Sequence, residues 1–313
     1  MPGKKRSRKP STPPEKLMKE LTRRGPHRVL AGGLGIVGIE GRVFAPADGT
    51  RRPVLAFGHG WLTGAGRYRD FLYHLASWGF VVAVPEGQRG PFASDVGLAA
   101  EMRSAATIVS YAPLGDGTVT ADPARIGFLG HGFGAAAAVI AASDEVVLGQ
   151  PAVSTSGVVA IFPAPTTPIL PAAAAQVRAP GLVLAAGTAL DTFDANARPL
   201  AQAYGGDVVL RTLPGATSKG FLEHRSPKSL LGINGADKVT HTQVRALTTG
   251  FLLHAVAGDD RYAGFADASE IIKKTVVSDP SETTEGELDH VSRLLGAKPR
   301  NQRGRIARRI PVP

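Results

Sequence analysis

Short apolar runs alternate with stretches of helical spacing between residues 29 and 266. Val29 to Ile39 is apolar, is broken by four glycines and leads into Gly41-Arg-Val-Phe-Ala-Pro46; together these read as the opening strands of a domain. Pro53-Val-Leu-Ala-Phe-Gly-His-Gly-Trp61 is a strand running into a glycine turn, and Phe80-Val-Val-Ala-Val-Pro85 is the next strand. Between them Arg69 to Trp78 has helical spacing with Gly79 as its stop, and Ser94 to Tyr111 follows as a second helix. Further strands are expected at Ile126 to Leu129, Gly157 to Pro163, Gly181 to Ala186 and Asp207 to Leu213. Helices are expected in the alanine run after Gly134, from Asp194 to Tyr204 and from Gln243 to Ala257, with a Pro- and Ala-rich loop over 163–180. Short buried strands alternating with helices predict an α/β domain, a mostly parallel central sheet with helices on both faces.

The pattern lapses at both ends, which divides the chain into 1–28, 29–266 and 267–313. Thr12-Pro-Pro-Glu15 followed by Lys16 to Arg24 resembles a capping box opening a short basic helix, with Leu17, Met18 and Leu21 on one side. So short a helix is marginal alone, and the first segment is expected to be a frayed or disordered tail. In the last segment, Ser278 to Gly286 reads as an acidic linker, Glu287 to Leu295 as a small amphipathic helix, and the chain from Lys298 as a disordered tail.

Charge sharpens this division. The chain is +10 overall, yet residues 1–28 hold ten Lys/Arg and two Glu, and residues 293–313 hold seven Lys/Arg and no acid, so 29–292 is net −5. The basic ends suit an anionic surface or an acidic protein partner. Neither end contains an aromatic residue for base stacking, so specific nucleic-acid binding is not expected. The absence of cysteine excludes disulfides, thiolate metal sites and cysteine nucleophiles. Eight scattered histidines without His-x-x-x-His spacing point to no metal, and no cofactor is expected. Arg23-Arg24 before an apolar run has the outline of an export signal, but the glycines and the lack of a cleavage site argue against it, and no stretch could cross a membrane. A cytoplasmic protein, able to attach peripherally at a membrane, is expected.

The chemistry centres on Ala124-Arg-Ile-Gly-Phe-Leu-Gly-His-Gly-Phe-Gly134 and the alanine helix behind it. Strand, glycine turn and helix have the form of a G-x-S-x-G nucleophile elbow, but its middle position is Gly132. Glycine adopts the strained apex geometry freely and supplies no reacting atom. The same glycines also spell G-x-G-x-x-A through Gly130, Gly132 and Ala135. A dinucleotide site would want an acid at the end of the following strand, and Phe162-Pro163 provides none.

Together, Phe57-Gly-His-Gly-Trp61, Leu75-Ala-Ser-Trp-Gly-Phe-Val-Val82, Asp122 to Gly134, Pro214-Gly-Ala-Thr-Ser218 and Gly258-Asp-Asp-Arg-Tyr262 resemble α/β-hydrolases of the dienelactone-hydrolase-like group. The similarity is to the branch containing bacterial polyester (PET) hydrolases, cutinases and chlorophyllase-like esterases, and it runs from about Gly41 to Phe265. The resemblance implies an α/β-hydrolase fold and a serine, aspartate and histidine in that chain order. Carried over, these fall on Gly132, on Asp191 with Asp194 as alternative, and on Ser218, which leaves two of three positions empty. It also implies an oxyanion hole from the N–H groups of Trp61 and Phe133, with the Trp61 ring either facing the ligand or plugging the cleft. His59, in the turn that shapes the oxyanion loop, and His131, beside the apex, complete the expected binding set. His131 is expected to pack rather than react, and His224 to lie at the surface.

Three functions follow as expectations: a catalytically impaired pseudo-esterase that binds an acyl or lipid ligand or a protein partner, an atypical or very slow carboxylic ester hydrolase, and a structural interaction module with a closed cleft. An apolar pocket near Trp61 and Phe133 favours the first. A hydroxyl or imidazole entering it favours the second, and a filled cleft the third.

Overall fold

A computed structural model describes residues 12–164, 168–187, 196–223 and 237–281. Its sheet has nine strands: β1 (Val29–Gly33), β2 (Gly41–Pro46), β3 (Gly49–Gly58), β4 (Val81–Pro85), β5 (Val119–His131), β6 (Thr155–Ile161), β7 (Gly181–Ala186), β8 (Val208–Leu213) and β9 (Val276–Ser278). The spatial order is β1-β2-β4-β3-β5-β6-β7-β8-β9. β4, β3, β5, β6, β7 and β8 run parallel, and the pairs at each edge are antiparallel. Every residue of β4 and β7 is buried, as expected of non-alternating sequences covered on both faces.

Helices cover both faces. α3 (Asp95–Tyr111), α4 (Phe133–Ala142), α5 (Leu170–Gln176) and α6 (Ala197–Ala203) contribute to one apolar core. α1 (Pro14–Leu21), α2 (Arg69–Ser77) and α7 (Lys238–Ala255) contribute to the other. The loop expected over 163–180 holds α5, whose Pro171 sits in the first turn, where a missing N–H costs nothing. α7 begins earlier than expected because Asp237 caps it, accepting from the Val239 N–H at 3.0 Å.

Both ends of the domain depart from expectation. The short basic helix is docked rather than frayed: Leu21 is 0% and Leu17 5% exposed against the core shared with α7. Tertiary burial supplies what its length cannot. No side chain caps its start; Pro14 opens it in place of the capping box. At the other end the ordered domain continues past 266, since Ile272 is buried and β9 pairs with β8. The helix expected at Glu287 to Leu295 and the tail from Lys298 lie outside the described residues, as do residues 1–11.

β3 and its neighbour β5 lead into helices on opposite faces of the sheet, α2 and α4 respectively. Loops beyond the carboxyl ends of these strands therefore diverge and leave a crevice, the usual ligand position in such sheets.

Candidate active-site cleft

β5 ends at His131, α4 begins at Phe133, and Gly132 joins them at φ +57° and ψ −115°. The turn is tight because its flanking glycines admit no side chain: a Cβ on Gly130 would lie 2.0 Å from the Gly134 carbonyl oxygen, and one on Gly134 2.1 Å from that of Gly58. At Gly132 a Cβ would meet nothing within 4 Å. Glycine here answers the positive φ and not a lack of room, so the position that a nucleophile would fill is open. The apex is fixed by hydrogen bonds from Gly132 N–H to the Ile161 carbonyl at 2.9 Å and from Ala164 N–H to the Gly132 carbonyl at 3.2 Å. As the first residue of α4, Phe133 aims its N–H out of the helix start.

The loop after β3 forms the opposite wall. Gly60 N–H donates to the Tyr68 hydroxyl at 2.9 Å, and the Thr63 hydroxyl donates to the Gly60 carbonyl at 2.6 Å. The Trp61 ring is 57% exposed and 6.2 Å from the Phe133 ring, so it borders the cleft and does not plug it. The cavity is about 1220 Å³, with Trp61, Phe133, Phe162, Ala186 and Leu222 among its apolar walls. Polar groups enter it at Tyr68, Asp95, His131 and Ser218.

Three of these groups form a chain. The Tyr68 hydroxyl is 2.9 Å from His131 Nδ1, and His131 Nε2 is 3.0 Å from the Ser218 hydroxyl. Burial pushes the His131 imidazole down to about 4, against an opposing backbone contact at Ser218, so the ring is neutral at pH 7. Burial likewise pushes the Tyr68 phenol up to about 12, so it stays protonated. One arrangement satisfies these short contacts as follows. Tyr68 accepts from Gly60 and donates to Nδ1, Nε2–H donates to Ser218, and the Ser218 proton is left for the cavity.

The structure thus gathers Gly132, Ser218, His131, Trp61 and Phe133 around one cavity. His131 is more than a packing residue, although its ring does pack 5.2 Å from Phe221. His59, grouped with the binding residues on sequence grounds, is a correction: it is fully buried off the lining, its Nδ1 3.0 Å from the Gly60 carbonyl. Its ring shapes the loop and is shut off from a ligand. Asp191, Asp194 and His224 lie outside the described residues. Tyr68 and Asp95 carry no signal in the one-dimensional pattern, since each reads there as a helix-start residue.

These features define an α/β-hydrolase fold in which the tight turn between β5 and α4 has Gly132 at its apex. The model of the chlorophyllase family matches residues 41–168, which carry the loop after β3 and the turn at Gly132 but stop short of Ser218. No curated protein matches the chain. Among the described residues no helix is long and apolar enough to cross a membrane.

Proposed function

We propose that this protein is a catalytically impaired esterase relative that binds an acyl ligand in the cleft at Gly132. One observation carries the reading: the apex is free of side-chain atoms and opens onto a mostly apolar cavity of about 1220 Å³. That volume exceeds the roughly 300–1,000 Å³ of ordinary small-molecule sites, which suits a long acyl or aryl ester. The carbonyl oxygen of such a ligand would lie at the start of α4, near the Phe133 and Trp61 N–H groups, and the Ser218 hydroxyl would donate to its polar end. Without an apex hydroxyl, alkoxide attack has no starting atom at the usual position.

The test is a long-chain acyl ester presented to the purified protein, with binding read by calorimetry and turnover read separately. Saturable binding without ordinary esterase turnover is expected. In Gly132→Ser combined with Ser218→His, turnover should rise by about 10²-fold or more if the acid position still serves. Ordinary esterase rates in the unmodified chain would overturn the reading.

A second reading rests on the 3.0 Å contact between His131 Nε2 and Ser218. If the ring adopts its other tautomer, Nε2 accepts the Ser218 proton, Ser218 attacks the ester carbonyl, and His131 returns the proton to the leaving alcohol. A base held near 4 is weak, so turnover would be slow. Labelling of Ser218 by a fluorophosphonate, abolished in Ser218→Ala, is the result that would favour this reading over the first.

A further inference from the structure

A second concavity lies at the opposite end of the sheet. The acyl cleft sits beyond the carboxyl ends of β3, β5, β6, β7 and β8. A groove of about 790 Å³ lies beside Trp78, three residues before β4 begins, between α1 and the turn after α7. Lys16, Lys19, Arg23, Arg24 and Arg261 line it, and Glu20 is its one carboxylate. Docking of Leu17 and Leu21 fixes α1 so that this basic face points outward.

Among the described residues, only two of the five cations are met by carboxylates. Glu20 is engaged by Arg261 at 2.8 Å, and Arg24 reaches Asp70 at 4.0 Å. Lys16, Lys19 and Arg23 form no ion pair with the described residues. Basic residues often offset helix carboxyl ends, and α1 and α2 both finish here. Each such end is worth about half a negative charge at most, so two of them and Glu20 leave a clear cationic excess. The Trp78 indole N–H donates to the Arg23 carbonyl at 3.1 Å, which holds Arg23 at the wall and leaves the half-buried ring beside the groove. In the sequence, the thirteen residues before the helix hold five more Lys/Arg, whereas residues 29–292 are net acidic.

We propose that this groove binds a phosphate-bearing anion carrying two or more negative charges. Concavity and converging cations suit an oligophosphate group, whether free in solution or on a lipid headgroup. The site is separate from the acyl cleft and does not depend on its function.

Trp78 is one of two tryptophans, so in a Trp61→Phe background its fluorescence reports on the groove. Tripolyphosphate should change that emission saturably, with affinity falling at least about tenfold when ionic strength rises from about 0.02 to 0.2 M. Lys19→Ala with Arg23→Ala should weaken it about tenfold or more while leaving the melting temperature within a few degrees, because both residues are exposed. Vesicles of phosphatidylcholine with cardiolipin, whose headgroup carries two phosphates, separate the sources. Sedimentation reversed by tripolyphosphate assigns the anion to a lipid, and the fluorescence response without sedimentation assigns it to a soluble oligophosphate. No Trp78 response to either probe overturns the proposal, as does binding undiminished in the double variant.

Discussion

The two ends of α4 are finished in opposite ways. At its C-terminal end the guanidinium of Arg103, reaching across from α3 and 1% exposed, donates to the carbonyls of Ala141 at 2.8 Å, Ser143 at 2.6 Å, Glu145 at 2.5 Å and Gln150 at 3.1 Å. At its N-terminal end no comparable group is brought in among the described residues, and Gly132 opens onto the cavity. A helix has unmet donors at one end and unmet acceptors at the other. Here the acceptors are satisfied by the protein itself and the donors face a space large enough for a ligand. The contrast is between a closed end and an open one on a single ten-residue element.

The locked end should respond most to mutation. Arg103→Ala strands several buried carbonyls at once, and a loss of about 3–5 kcal/mol in denaturant unfolding is expected. A loss below about 1 kcal/mol would mean that water replaces the guanidinium and that the two ends are less different than drawn.

Acid should act on the open end. The His131 imidazole sits near 4 in the folded state against an ordinary value of 6.5. Its folded-state value is depressed, so its contribution is complete above about 6.5 and is lost as pH falls towards about 4. His74, pushed by burial and then by Arg245 down to about 3, acts in the same direction. Stability measured from pH 7 to pH 4 should therefore fall, and His131→Gln should flatten the slope by the share that belongs to the cleft.

Smaller effects sharpen the comparison. Tyr68→Phe removes the partner of Gly60 N–H and of His131 Nδ1 and should cost about 1–3 kcal/mol, with weaker acyl-ligand binding because Ser218 loses its anchored neighbour. Gly132→Ala meets no steric obstacle but must accept φ +57°, so about 1 kcal/mol is expected, measured by thermal unfolding.

The parallel sheet was legible because its strands are continuous apolar runs, and the tight strand–turn–helix because three glycines recur at every second position before the alanine run. Tertiary partners were not legible. Arg103 looks like any polar residue within a helix until the carbonyls after α4 surround it. Ser218 reads as a lost histidine, and its contact with His131 spans 87 residues that no periodicity links. The N-terminal helix looked too short to persist because the surface that stabilises it, α7 and the turn after it, lies more than two hundred residues later.

The basic groove and the cleft at Gly132 lie at opposite ends of the strands of one sheet. Occupancy of either therefore leaves the entrance to the other unobstructed. If both proposals hold, a charged handle and an apolar hold sit on opposite sides of the domain, and such a protein would work as an adaptor.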